Sequence, residues 1–184
     1  MFDFILNLDF SVLYFIQDHI KNPIFDALMP FLSTIGGGGA VWIIACFIMI
    51  FFKKTRTAGI TGLCAMALSF IAGELILKNI FCRVRPCYID TSVKLLVPYP
   101  KTYSFPSGHT ASSFSCAVSL LIAHKKIGVP ALILASLIAF SRLYNFVHFP
   151  TDIMAGIILG VGTALLVTVI INNYKNKSSS KIGG

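Results

Sequence analysis

Long apolar segments, separated by short polar stretches, constrain this chain more than any other feature. Mean hydropathy is +0.82, and 56% of the residues are hydrophobic while 12% are charged. A helix needs about 20 mostly apolar residues to cross a bilayer. The composition excludes an ordinary soluble domain, so we expect one integral membrane domain over residues 1–174 and a polar, disordered tail over 175–184.

Five apolar segments are candidates for transmembrane helices. They cover residues 23–52, 57–77, 107–123, 127–146 and 152–171. The first is interrupted by Gly36–Gly39 and is either one broken span or two shorter helices. The predicted fold class is therefore all-α, an integral membrane helical bundle of about five to six transmembrane helices.

The first 20 residues differ from these segments. They mix apolar side chains with acids, which predicts an amphipathic helix lying in the membrane interface. Their first ten residues carry two acids and no Lys or Arg, the reverse of a basic signal sequence, so we expect no signal peptide.

Positive charge is divided unequally between the two ends of the predicted spans. Eight cations and no acid flank one set of ends: Lys53, Lys54, Arg56, Lys125, Lys126, Lys175, Lys177 and Lys181. The other seven cations and all seven acids belong to the opposite side, so the formal net charge of +8 lies on one face. The positive-inside rule makes that face, with the C-terminus, cytoplasmic. This distribution explains the basic composition without a nucleic-acid partner.

Three clusters of polar residues fall on the opposite, extracytoplasmic side. The first is Lys78 with Arg85-Pro86, in which Lys78 alone could be an interfacial side chain that snorkels. Glu74 precedes Lys78 by one helical turn, an i,i+4 pair that would hold the ammonium group in place. A carboxylate within a membrane segment needs such a partner, so we assign Glu74 a supporting role.

The second cluster is Ser107-Gly108-His109, at the start of an apolar segment. Backbone N–H groups at the start of a helix attract anions, and Gly108 lets a phosphate approach the backbone closely. The alternative is an ordinary helix cap. His109 favours a functional site, because burying an unused imidazole is costly.

The third cluster is the sequence SRLYNFVHFPTD at residues 141–152. Pro150 and Thr151 predict the start of a helix, which places Asp152 in its first turn. That carboxylate could orient the imidazole of His148 through a hydrogen bond and stabilise its cationic form. Arg142 could supply a bidentate fork for an oxyanion, so the cluster suggests phosphoryl chemistry.

The spacings K-x6-RP, PSGH and SR-x5-H-x3-D closely resemble the three-part signature of the type 2 phosphatidic acid phosphatase superfamily. The resemblance implies a membrane phosphatase in which His148 attacks phosphorus to form a phosphohistidine, supported by Asp152. His109 would protonate the leaving oxygen and then activate water. The groups that would hold the phosphoryl oxygens are Lys78, Arg85, Ser107, Gly108 and Arg142.

The expected substrate is a membrane lipid phosphate whose tail stays in the bilayer. The candidates are a polyprenyl diphosphate such as undecaprenyl pyrophosphate, and a glycerolipid phosphate such as phosphatidylglycerol phosphate or phosphatidic acid. Many dedicated undecaprenyl pyrophosphatases carry aspartate where this chain has Gly108, which favours a broad lipid phosphatase over a dedicated one. The alternatives outside this class are a non-enzymatic lipid-binding or lipid-flipping protein and a small ion transporter.

We expect no metal and no cofactor, because the chain shows neither a carboxylate cluster suited to magnesium nor the Cys/His spacing typical of zinc. We expect Cys82 and Cys87 to be two free thiols rather than a local disulfide. Arg83 lies outside the signature, and Arg83→Ala is expected to retain most activity.

Overall fold

The computed structural model describes residues 2–182, with the side chains of residues 3–177. The described chain is all-α and has no strand. Its helices are α1 (Phe2–Phe15), α2 (Pro23–Ile35), α3 (Ala40–Phe51), α4 (Arg56–Phe70), α5 (Lys78–Phe81), α6 (Pro86–Ile89), α7 (Gly108–Ala123), α8 (Lys125–Tyr144) and α9 (Pro150–Ile182). Wider π-helical turns extend α1 over Ile16–Ile20 and join α4 to α5 over Ile71–Leu77. The predicted helical membrane bundle is confirmed.

Three helical stretches are long and apolar enough to cross a membrane, namely Arg56–Ile89, α8 and Pro150–Lys177. The pair α2 and α3 qualifies as a fourth span with a bend of 48°, and α7 is a shorter apolar helix of 16 residues. Tyr144, at the end of α8, contacts Asn22 just before α2, whereas the Lys54 carbonyl just after α3 lies 2.9 Å from His124 Nε2. The pair therefore runs from one end of the bundle to the other, as a single broken span.

The bend of this broken span lies at its glycines. Gly38 and Gly39 have φ angles of 59° and 71°, in the left-handed region that glycine adopts without strain. A Cβ atom on Gly36 would lie 2.7 Å from Ile138 Cγ2 and 3.4 Å from His109 Cδ2. The break therefore packs closely against α8 and against the first turn of α7.

Helix α7 is the axis of the bundle and packs against α4, α8 and α9. Small side chains on facing helices permit this close approach. A Cβ atom on Gly160 of α9 would lie 2.6 Å from the Ala111 carbonyl oxygen. Serine hydroxyls within α7 bond to their own helix, as Ser119 Oγ does to the Ser115 carbonyl at 2.8 Å. The core can therefore hold many hydroxyl groups without leaving them unpaired.

The helix predicted over the first 20 residues is present as α1 and its extension, and one of its faces is buried. Phe4 and Leu8 are exposed, whereas Leu13 and Ile16 are buried. The buried face packs against the segment between α8 and α9, where the rings of Phe10 and Phe149 meet edge to face at 5.2 Å. Helix α1 is thus docked on the same end of the bundle as the polar clusters.

The helix that contains the predicted span over residues 57–77 extends beyond it. Helix continues to Phe81, and the chain leaves it at Cys82, which has a φ of 45°. Lys78 therefore projects from a helix rather than from a loop. The helix can continue beyond the apolar segment because Glu74 pairs with the Lys78 ammonium group one turn later.

Helix α9 continues to Ile182 and so includes residues 175–182 of the predicted polar tail. Adding residues to an existing helix costs little compared with starting one. Lys175 Nζ also donates to Thr57 Oγ1 at 2.7 Å. His124 also contacts the Lys54 carbonyl. Together these two contacts bring the basic segments at the end of α3, at the start of α8 and near the end of α9 to one end of the bundle. Residues 183 and 184 lie outside the described residues.

Candidate active site

The three sequence clusters converge around a cavity of about 270 Å³ at the end of the bundle opposite to these basic segments. Helices α4, α7, α8 and α9 each direct one terminus towards this end. The predicted residues that line the cavity are Glu74, Lys78, Arg85, Gly108, His109, Arg142 and His148. Asp152 lies behind His148 and is fully buried. Ser107 does not line the cavity, since its hydroxyl caps α7 by accepting from the Thr110 N–H group.

His148 is buried between a cation and a carboxylate. Its Nε2 lies 2.9 Å from Arg85 Nη1, and its Nδ1 lies 3.4 Å from Asp152 Oδ2. Because arginine can only donate, Nε2 accepts, which places the ring proton on Nδ1, towards Asp152. Burial lowers the pKa of His148 well below its ordinary value, and the nearby cations Arg85 and Arg142 lower it further. The ring is therefore neutral, with a lone pair on Nε2.

Asp152 is held by groups other than the histidine. Its Oδ2 accepts from the Phe149 N–H at 2.8 Å and from the Ser104 hydroxyl. His148 Nδ1 makes no hydrogen bond to any described group, so the bond predicted between the two side chains is not formed in this structure. Oδ2 is already engaged by two donors, and its influence on His148 is that of a nearby charge.

Arg85 is fixed by carbonyl groups on three sides. Its Nε donates to the Thr102 carbonyl at 2.6 Å, its Nη2 to the Tyr103 carbonyl at 3.0 Å, and its Nη1 to the Val147 carbonyl at 2.8 Å. The Thr102 hydroxyl also accepts from Arg85 Nη2 and from Lys78 Nζ, at 3.1 and 3.2 Å. The loop before α7 therefore positions two of the three cations. Sequence reasoning missed this role of Thr102, because nothing in the pattern distinguishes it from other loop residues.

The predicted pair of Glu74 and Lys78 is present, with Oε1 and Nζ 2.8 Å apart and only 6% of the Lys78 side chain exposed. Gly108 lies directly beside it. A Cβ atom on Gly108 would overlap Glu74 Oε1 and lie 3.1 Å from Glu74 Cδ. A side chain at this position would displace the Glu74 carboxylate, so the glycine lets Glu74 approach the start of α7, a role that differs from the predicted close approach of phosphate.

Arg142 and His109 complete the lining. Arg142 is buried, and its Nη1 donates to the Ser33 hydroxyl of α2, while its Nε has no partner among the described groups. A buried guanidinium with an unused N–H is suited to an oxyanion ligand. His109 stands in the first turn of α7, beside the glycine break. It is therefore placed at the edge of the cavity that the broken span forms.

Arg83 lies outside the signature, yet it contacts a predicted site residue directly. Arg83 Nη1 lies 2.7 Å from Asp152 Oδ1, and its Nη2 lies 2.6 Å from Asp9 Oδ2. A sequence signal for this contact exists in α1, where Asp9 shares the face of Leu6 and Leu13. An acid on the apolar face of an amphipathic helix needs a buried partner.

The cavity reaches the outside of the bundle at Phe70, which lines it and is 56% exposed. A second cavity of about 510 Å³ adjoins the first and shares Lys78 and Arg85 with it, and it includes Asn79 and Lys101. The site therefore has an exposed apolar side chain at one edge and a polar extension at another. Among the described side chains there is no group of three or more His, Cys, Asp or Glu that could hold a metal, and all five cysteines are free.

The sequence of this chain is similar to those of known proteins. The family model of the PAP2 superfamily matches residues 58–176. An undecaprenyl-diphosphatase from Sulfolobus acidocaldarius is 35% identical over 156 residues, which are 84% of this chain and 75% of that protein.

Two crystal structures share the fold. LpxE from Aquifex aeolicus matches with a TM-score of 0.78 at 27% identity, covering 88% of this chain and 94% of that one. A transmembrane PAP2-type phosphatidylglycerolphosphate phosphatase from Bacillus subtilis matches with a TM-score of 0.66 at 26% identity, covering 84% and 80%.

Proposed function

Because the chain belongs to the PAP2 superfamily, we propose that it hydrolyses a membrane lipid phosphate or diphosphate through a phosphohistidine on His148. The observation that carries the proposal is the cavity in which a neutral histidine meets Lys78, Arg85 and Arg142. Three cations supply the charge stabilisation that phosphoryl transfer requires. A metal ion is not needed for that role.

In the first step, the lone pair on His148 Nε2 attacks phosphorus. The N–P bond forms as the P–O bond to the lipid breaks, and the leaving oxygen takes a proton from His109. Positive charge develops on the His148 ring, and the Asp152 carboxylate 3.4 Å from Nδ1 stabilises it. Arg85, 2.9 Å from Nε2, is placed to hold a phosphoryl oxygen beside the attacking atom.

In the second step, water replaces the lipid oxygen. His109 now accepts a proton from water, whose oxygen attacks phosphorus and breaks the N–P bond. Inorganic phosphate leaves and His148 returns to its neutral form. Both steps use the same cations, because each passes through a phosphoryl group whose oxygens carry negative charge.

The substrate class follows from the two sides of the cavity. The edge at Phe70 suits a lipid tail that remains in the membrane, and the adjoining cavity with Lys101 has room for more of a head group. We propose a broad lipid phosphatase that accepts both undecaprenyl pyrophosphate and glycerolipid phosphates. The 35% identity to an undecaprenyl-diphosphatase favours a dedicated diphosphatase as the second candidate.

Activity is tested by phosphate release in mixed micelles with excess chelator. Undecaprenyl pyrophosphate, phosphatidylglycerol phosphate and phosphatidic acid are compared side by side. Wild-type activity is expected to survive the chelator, and His148→Ala and His109→Ala are expected to abolish it while the protein stays folded. His19→Ala is the matched control, because His19 is exposed on the α1 extension.

Three outcomes would contradict the proposal. Normal turnover in either histidine variant overturns the assigned roles. Loss of activity in chelator that magnesium restores overturns metal independence. If phosphate is released from none of the three lipids, the result favours the non-enzymatic lipid-binding or lipid-flipping alternative.

We also propose that the basic end faces the cytoplasm and the site faces the opposite side, supported by the positive-inside rule. Cys82 is exposed near the site and provides the test. In a variant that keeps only this cysteine, a membrane-impermeant maleimide is expected to label intact cells. Labelling that requires permeabilised cells would reverse the orientation.

A further inference from the structure

A chain of alternating charges connects the interfacial helix α1 to the catalytic end of the bundle. Arg83 Nη2 lies 2.6 Å from Asp9 Oδ2, and Arg83 Nη1 lies 2.7 Å from Asp152 Oδ1. Only 2% of the Asp9 side chain and none of the Asp152 side chain are exposed. Two buried carboxylates thus share one guanidinium, and one of them is the partner of His148.

Asp9 is held in place by more than this ion pair. Its Oδ1 accepts from the Thr151 N–H at 3.0 Å, and its Oδ2 accepts from the Thr151 hydroxyl at 2.6 Å. Thr151 directly precedes Asp152 in the first turn of α9. The Arg83 guanidinium also lies over the Phe149 ring, 4.1 Å from its centre. Asp9 therefore fixes both the arginine and the backbone that carry the catalytic carboxylate.

The charge of this arrangement matters as much as its geometry. Burying a carboxylate is costly, and an apolar side chain on the same face of α1 would dock the helix without that cost. With Asp9 absent, Arg83 and Asp152 would cancel each other's charge. With Asp9 present, the three groups sum to one negative charge, which faces the cation that develops on His148 during attack.

We infer that Asp9 and Arg83 are positioning residues, which hold Asp152 in orientation and preserve its net negative charge for the His148 nucleophile. The inference rests on the proposed function, in which Asp152 stabilises the phosphohistidine step. Helix α1 then contributes to catalysis as well as to membrane attachment. Neither residue lines the catalytic cavity, so neither is expected to contact the reacting phosphate. Arg83 does line the adjoining cavity, which is why the test below uses a lipid monophosphate.

The test separates the rate of the chemical step from binding. In Asp9→Asn, kcat per active site is expected to fall about tenfold, a change of about 1.4 kcal/mol in the barrier, while KM for a lipid monophosphate stays within about twofold. Active sites are counted by trapping the phosphoenzyme with labelled substrate. Asp18→Asn is the matched control, since Asp18 is an exposed acid on the extension of the same helix.

A second set of variants tests the connection itself. If Asp9 acts through Arg83, the double variant Asp9→Asn/Arg83→Gln is expected to be no slower than Arg83→Gln alone. Arg83→Lys keeps the charge but loses the fork that reaches both carboxylates, so its kcat is expected to fall with KM preserved.

Wild-type kcat per active site in Asp9→Asn or in Arg83→Lys would overturn the inference. So would a parallel loss of kcat and binding in the Asp9 variant, since this indicates a general structural defect. Failure of this inference can be distinguished from failure of the proposed function. If the proposed function were wrong, the wild-type protein would form no phosphoenzyme that depends on His148.

Discussion

Replacing Glu74 by alanine would leave the Lys78 ammonium group buried with one hydrogen bond, to the Thr102 hydroxyl at 3.2 Å. The Lys78 side chain is 6% exposed and that of Glu74 is 24% exposed, so the pair lies between the surface and buried classes of ion pair. Exposed pairs contribute about 0–1 kcal/mol, and breaking a buried pair costs about 3–5 kcal/mol. We therefore expect Glu74→Ala to lower the free energy of unfolding by about 2–3 kcal/mol.

For a chain of this size, that loss corresponds to a decrease in the unfolding temperature of about 4–12 °C. This decrease can be measured by the fluorescence of Trp42, because it is the single tryptophan in the sequence and is buried in the core. Glu74→Gln is the matched control, since it retains an oxygen acceptor but no charge. We expect it to unfold between the wild type and Glu74→Ala.

An oxyanion in the cavity would replace the missing carboxylate. Orthovanadate, which resembles phosphate, is therefore expected to raise the unfolding temperature more in Glu74→Ala than in the wild type. If Glu74→Ala unfolds within about 1 °C of the wild type and vanadate shifts both equally, the pairing of Glu74 with Lys78 does not stabilise the site, and the reasoning from exposure fails.

Two further predictions concern pH and packing. Burial keeps the pKa of His148 well below its ordinary value of 6.5, so at acidic pH the unfolded chain binds a proton that the folded protein excludes. Stability is therefore expected to decrease as the pH falls below about 6.5, and His148→Asn should flatten this dependence in thermal unfolding between about pH 8 and 5; an unchanged slope would contradict it. Gly160→Ala is expected to cost about 1–3 kcal/mol, because its Cβ would meet the Ala111 carbonyl at 2.6 Å. Gly162→Ala in the same helix has open space and should gain up to about 1 kcal/mol, so equal unfolding temperatures for the two variants would refute the packing argument.

Much of this architecture is accessible from sequence because membrane helices are defined by local properties. Apolar length predicts the spans, and Pro150 with Thr151 marks the start of α9. The spacing of charged residues identifies the cavity lining, since each cluster lies at a predicted helix end. Gly36–Gly39 indicates a break in the first span, but the bend of 48° depends on packing against α8.

The contacts that sequence reasoning missed join distant parts of the chain. Asp9 and Arg83 are 74 residues apart, and periodicity shows only that an acid lies on an apolar face, without identifying its partner. The signature spacing does not include Arg83, because it lists only residues that are expected to bind or react with phosphate. The signature spacing contains no information on residues that position these side chains without binding phosphate themselves.

The proposed position of the lipid tail at Phe70 has a kinetic consequence. A lipid that enters from the bilayer diffuses in two dimensions, so its encounter rate depends on its mole fraction in the membrane rather than on its bulk concentration. Adding inert detergent at constant substrate concentration should therefore slow turnover by surface dilution. The dephosphorylated lipid would stay in the bilayer, whereas inorganic phosphate is soluble in water and would leave the membrane. Each turnover thus removes negative charge from one leaflet of the membrane.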